Sequence, residues 1–159
     1  MMELDKTMGR YELLNNIAHR DLRVATAFGP EYGDDVGMVP AFPSEFAELQ
    51  REYPIFLRKD PGTGEWQSVV LLGFEQRENL FLQDGRWNAA YLPGAAAKGP
   101  FLIGFQEHRI DGALTQEAVL HVDLDHPRVT AGAGEPVFLP QGGNTPYLDH
   151  IAGVLRGIH

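Results

Sequence analysis

The clearest periodicity lies near the C-terminus, where Tyr147, Leu148, Ile151, Val154, Leu155 and Ile158 recur at the spacing of one helical face. Thr145 and Pro146 precede that run. A threonine oxygen accepts an orphan amide and proline suits the first turn, so a helix opens there. Ile151 and Leu155 are expected to be its most buried pair, with His150 and Arg156 in water. The chain's own sheet or a second copy in a homodimer would cover the stripe. A second helical face is carried by Phe46, Leu49 and Tyr53, opened by Ser44 and stopped by Pro54, with Glu45, Glu48 and Glu52 on the water side.

Elsewhere the pattern is that of short strands. Segments 22–27, 55–59, 66–74, 80–82, 101–105 and 137–139 are rich in Val, Leu, Ile and Phe and bounded by Gly, Pro and Asp. Asp111 and Gly112 form a hairpin turn joining 103–110 to 118–124. The stretch 11–28 is ambiguous: Leu13, Leu14 and Ile17 suit a helix, whereas 22–27 alternates as a strand. These elements predict an α+β fold, a mainly antiparallel sheet of short strands flanked by two helices. The expected organisation is a frayed tail at 1–10 and a single domain over 11–159.

Composition sharpens this picture. With 18 Gly and 11 Pro in 159 residues, turns are frequent and a helical bundle is excluded. Lys and Arg number 13 against 22 Asp and Glu, a net charge of −9, and no basic run exceeds Arg58-Lys59. A nucleic-acid partner is therefore not expected, since nothing would track phosphates. Membrane insertion is not expected either, because no apolar run approaches the roughly 20 residues that span a bilayer. The segment Met1 to Arg10 lacks the apolar core of a secretory leader, and with no cysteine in the chain the expected location is cytoplasmic.

Several segments, in order and spacing, resemble the bacterial SapC family. They are Pro43-Ser44-Glu45-Phe46 with Tyr53-Pro54-Ile55-Phe56, then Leu72-Gly73-Phe74, then Glu78-Asn79-Leu80-Phe81-Leu82 with Asp84-Gly85-Arg86-Trp87 and Tyr91-Leu92-Pro93. Gly99-Pro100-Phe101-Leu102-Ile103 and Pro146-Tyr147-Leu148 extend the likeness over most of the chain from about His19 onward. The family takes its name from surface-layer protein loci, and its members lie beside genes for outer-membrane receptors and tryptophan-halogenase-like enzymes. The resemblance implies a partner encoded nearby and carries no catalytic residues.

Two stretches hold candidate chemistry. Arg86, Trp87, Asn88 and Tyr91 combine a guanidinium, an indole, an amide and a phenol around a turn, a set suited to holding a carboxylate, a planar group or a peptide. The alternative for this stretch is structural, with Trp87 capping the core and Arg86 meeting an acid. In the second, a strand puts His121, Asp123 and Asp125 on one face, with His126 adjacent. An imidazole with carboxylates suits iron, manganese or zinc, and His126, His150 or His159 would complete a two-histidine, one-carboxylate site. An ordinary half-buried strand with polar residues in water accounts for the same alternation. The cluster Asn16, His19, Arg20, Asp21 and Arg23 reads as a solvated turn, because no nucleophile stands beside its His-Asp pair.

The leading functional expectation is a non-catalytic binding or accessory protein that recognises a protein or peptide partner through Arg86, Trp87, Asn88, Tyr91 and nearby edges. No cofactor is predicted. The competing class is a metal-dependent enzyme built on His121, Asp123, Asp125 and His126. A third reading is a surface-layer-associated structural component.

Overall fold

Two Asp-Gly pairs set the geometry of two hairpins. Asp84 and Gly85 have φ of 49° and 75°, and Asp111 and Gly112 have φ of 51° and 83°. Consecutive left-handed residues make the tight turn whose twist matches that of paired strands, and Asp and Gly are the residues that tolerate it. The computed structural model describes residues 9–159, so the tail expected at 1–10 lies outside the described residues but for Gly9 and Arg10.

In chain order the described residues form β1 (Tyr11–Leu13), β2 (Arg23–Val24), β3 (Met38–Pro40), α1 (Phe46–Leu49), β4 (Ile55–Lys59), β5 (Trp66–Leu71), β6 (Leu82–Gln83) and β7 (Arg86–Trp87). There follow α2 (Gly94–Ala97), β8 (Phe101–Ile110), β9 (Ala113–Asp123), β10 (Val129–Thr130), β11 (Glu135–Pro136) and α3 (Pro146–Gly157), with 3-10 turns at Pro30–Tyr32 and Pro43–Glu45. The expected α+β class and antiparallel pairing hold. The strands divide, however, into the separate sheets β1-β9-β8, β10-β2-β11, β3-β5-β4 and β6-β7, where one sheet was expected.

Each remaining difference has a local cause. The ambiguous 11–28 stretch yields β1, which pairs Tyr11 with Asp123 and Leu13 with His121. The hairpin at Asp111-Gly112 is longer than alternation suggests, with Ile110 opposite Ala113 and no wider loop, because the turn itself dictates the register. The helix expected from Glu45 to Tyr53 is reduced to α1 behind a 3-10 turn. Glu45 does not face water: it is buried, and its carboxylate is drawn away to accept from the Tyr91 hydroxyl and the Gly94 amide. The strand expected at 80–82 begins at Leu82, since Asn79 Oδ1 accepts from the Phe81 amide and holds a turn there.

Two apolar cores result. In the first, Val24, Phe101, Val122, Val137, Phe138, Leu148, Ile151 and Leu155 bring α3 onto the base of the β8-β9 ribbon and the β2 sheet. Thr145 caps α3 as the sequence indicates, accepting from the Leu148 amide at 3.3 Å. Ile151 and Leu155 are buried while His150 and Arg156 are exposed, and Leu148 is as deep as either. The second core gathers Ala41, Leu49, Tyr53, Val70 and Leu72 under the β3-β5-β4 sheet, with Phe81 and Trp87 against it.

A buried ion pair joins the two. Arg128, just before β10, donates to both carboxylate oxygens of Asp34 at 2.8 and 2.6 Å and to the carbonyls of Ala25 and Ala27 at 3.0 and 2.6 Å. Its guanidinium lies over the rings of Phe28 and Tyr32, 5.0 and 4.9 Å from their centroids. Asp34 also accepts from the Gly29 amide, and its carbonyl accepts from Asn79 beside β6.

Two stability outcomes follow. Leu155→Asp places an unpaired carboxylate in the first core and is expected to abolish folding or cost several kcal/mol, read as lost or strongly lowered thermal melting. Arg128→Met leaves Asp34 buried without its cation and is expected to cost about 3–5 kcal/mol in urea unfolding, whereas Arg128→Met with Asp34→Asn recovers part of that loss. Additive effects of the two substitutions would show that the pair is not coupled.

Candidate functional site

The 86–91 stretch is shaped by strand alternation after a tight turn. Gln83 pairs with Arg86 and Leu82 with Trp87, so Arg86 points into water while Trp87 turns inward. The Trp87 ring stacks on Phe81 at 6.3 Å between centroids and meets Phe28 edge-on at 5.7 Å. Its Nε1 donates to the Tyr53 hydroxyl at 2.8 Å, which in turn donates to the Tyr91 carbonyl at 2.5 Å.

The same network continues through Tyr91. Its hydroxyl donates to Glu45 Oε1 at 2.8 Å, and the Gly94 amide donates to that oxygen at 2.6 Å. The amides of Ala90 and Tyr91 donate to the two oxygens of Glu52, each at 2.9 Å, and hold its carboxylate below the usual range. Burial pushes the Tyr53 phenol up to about 12, and burial, followed by the hydrogen bond to Glu45 and then the Glu45 charge, pushes Tyr91 up as well. Both phenols are therefore neutral hydrogen-bond donors near pH 7.

Of the four residues singled out in this stretch, Trp87 and Tyr91 are thus committed to holding the second core, and Arg86 and Asn88 stand exposed on its rim. Asn88 reaches only Gln83, at 3.4 Å. The structure brings together an outward polar pair on a rigid aromatic base.

The second candidate set is dispersed. His121 lies mid-ribbon between Leu13 and Leu102, its ring over Gly104, where an added Cβ would fall 2.6 Å from His121 Cε1. Its Nδ1 is buried without a hydrogen-bond partner. Asp123 ends β9, and its Oδ1 accepts from the Asp125 amide at 3.0 Å in a local turn. His126 Nδ1 accepts from the Arg128 amide at 3.1 Å. His150 is exposed on α3, and His159 packs 4.9 Å from the Phe105 ring. Among the described residues, no three His, Asp or Glu side chains gather where they could hold one metal ion, so the grouping of His121, Asp123, Asp125 and His126 that the competing reading requires is not formed there. Strand period alone aligned His121 with Asp123; the turn after Asp123 diverts the other two.

The solvated-turn reading of the early polar cluster is corrected at His19. That imidazole is buried, its Nδ1 accepting from the Asn15 amide at 3.2 Å and its Nε2 bonded to Glu12 at 3.2 Å. Sequence reasoning also passed over Asp34, Arg128 and Lys98, which meet across one cavity. Nothing in their local sequence marks them, since their partners are far along the chain.

A further feature is the ribbon itself. The first core stops near Ile103 and Leu120, yet β8 and β9 continue to the turn, leaving Phe105, Ile110 and Leu114 exposed at 50, 59 and 68%. Residues opposite one another share a face, so Phe105 and Leu114 prolong the face that carries Phe101 and Ile103. With Ile110 and Ala113 flanking the two-residue turn as a bonded pair, the backbone groups of Ile103, Phe105, Glu107 and Arg109 face away from β9, along an edge with no further strand among the described residues.

Trp87→Phe is expected to cost about 1 kcal/mol by removing the bond to Tyr53, and Trp87→Ala roughly 3–5 kcal/mol by removing the ring. Chemical denaturation checks both. A Trp87→Ala protein as stable as the parent would show that the indole does not support the second core.

No curated protein and no solved structure matches the chain. No helix among the described residues is long and apolar enough to cross a membrane. The segments that resembled a known family lie in the second core and its rim, at the base of β8 and on α3, and a family model spans them all: over residues 14–159 the chain matches SapC, and it belongs to that family.

Proposed function

We propose that this SapC-family chain is a non-catalytic binding or accessory protein that takes an extended segment of a protein partner along the open edge of β8. Arg86 and Asn88 supply polar contacts from the neighbouring turn. The observation that carries this reading is the ribbon beyond the first core, with free backbone donors and acceptors along β8 and with Phe105 and Leu114 exposed on one face. An unpaired edge is a template for a further strand: main-chain bonds supply affinity and alternate side chains supply specificity. Trp87 and Leu102 line one cavity, so the turn and the base of β8 are neighbours. The Trp87, Tyr53, Tyr91 and Glu45 network supports the same reading, because it lets Arg86 and Asn88 meet a partner without the core yielding.

Glu107 offers a direct test, because its amide faces the open edge. Glu107→Pro removes that donor at an edge position where proline is tolerated and leaves the β8-β9 ladder intact. It is expected to abolish retention of the partner in cross-linking and pull-down from the native host, with thermal melting nearly unchanged. Arg86→Ala and Asn88→Ala are expected to weaken retention while altering stability by only about 0.5 kcal/mol. Undiminished retention by Glu107→Pro, or no protein retained by the parent chain, rejects strand addition as the mode of recognition.

A further inference from the structure

A cavity of about 180 Å³ lies between the two cores, its lining including the apolar side chains of Val39, Trp87 and Leu102 and the polar ones of Lys98, His126 and Tyr11. Arg128 and Asp34 also reach it, but they satisfy each other. Both Asp34 oxygens accept from Arg128, and the guanidinium is further bonded to two carbonyls.

Lys98 differs. It follows α2 and is partly buried, and among the described residues no carboxylate pairs with it. Burial lowers its pKa, and the charge of Asp123, which acts in the opposite direction, does not offset this. The Asp123 carboxylate is engaged with the Asp125 amide. An ammonium desolvated without a contact partner is unfavourable, and a bound anion removes the penalty.

His126 stands beside it in a defined state. Its pKa is lowered by burial and then by Arg128, so the ring is neutral near pH 7. Because Nδ1 accepts from the Arg128 amide, the proton of the neutral ring resides on Nε2, which makes that nitrogen a donor. The lining of the cavity therefore includes an amine and a neutral imidazole together with aliphatic and indole side chains.

We propose that this cavity binds a small monocarboxylate, the carboxylate held by Lys98 and His126 and a short apolar body held against Val39, Leu102 and Trp87. The volume is that of a molecule the size of a short-chain fatty acid, below the roughly 300–1,000 Å³ of drug-sized pockets. The cavity touches β8 only at Leu102, at the base of the ribbon, and its ligand uses none of the edge groups of Phe105, Glu107 and Arg109, so the two readings are tested independently.

The test is thermal melting of the full chain in increasing butyrate, against 1-butanol and against sodium chloride at matched ionic strength. Butyrate is expected to raise Tm by several degrees once well above its Kd, with neither control doing so. Lys98→Met is expected to be at least as stable as the parent without butyrate and to lose the butyrate response. Should that variant fail to fold, Lys98→Gln and His126→Ala carry the same comparison, and saturation-transfer NMR of butyrate on the parent chain reads binding directly. Absence of a butyrate signal, an equal effect of butanol or chloride, or an undiminished response in the folded Lys98 variants overturns the proposal.

Discussion

Arg128 and Asp34 are the constraint on which the rest of this structure depends. The chain builds two apolar cores, and the apolar contacts within each do not determine how one lies against the other. A planar cation that meets a carboxylate with bidentate geometry, two backbone carbonyls and two aromatic faces has essentially one placement. Because Asp34 is also tied to the Gly29 amide and to Asn79, that placement reaches from β10 to the approach of β6. A buried pair of this kind contributes less to net stability than to specificity, since desolvation offsets much of its attraction, and it makes other arrangements of the two cores costly.

The same logic runs through the second core. Tyr53, Trp87, Tyr91 and Glu45 share a continuous hydrogen-bond network, and Glu45 is the buried acceptor at its end. The cost of burying these polar groups is offset only when every one is satisfied, which holds the 86–91 stretch in a single conformation. Arg86 and Asn88 owe their outward positions to inward commitments on either side of them. Exposed polar positions and structural network are made by alternate residues of one segment.

The ribbon stands at the opposite extreme. Beyond Ile103 and Leu120 it is held by its own ladder, the Asp111-Gly112 turn and the contact of His159 with Phe105, with none of the described core residues beneath it. Such an element gains little from burial, and exposed Phe105 and Leu114 add apolar surface that a partner would cover. Among the described residues the chain thus combines a pinned body with a strand edge that no further strand covers.

Local patterns were legible in the sequence wherever the interaction that decides them is also local. Thr145-Pro146 and the following stripe specified α3, Asp111-Gly112 specified a hairpin and Asp84-Gly85 a turn, and the frequency of Gly and Pro specified many turns and short elements. Family membership was legible for the same reason, since it rests on order and spacing along the chain. What the sequence left open was decided by partners distant in the chain. Glu45 looked like the water face of a helix until Tyr91 and Gly94 claimed its carboxylate, and His19 looked solvated until Glu12 and Asn15 enclosed it. His121 and Asp123 shared a face by period, but the turn after Asp123 kept Asp125 and His126 from joining them. Hydrophobic period and turn chemistry act over a few residues and so appear in any short window of sequence. The pairing of Arg128 with Asp34, the division into separate sheets and the setting of Lys98 depend on which buried polar groups find one another, and only the tertiary structure decides that.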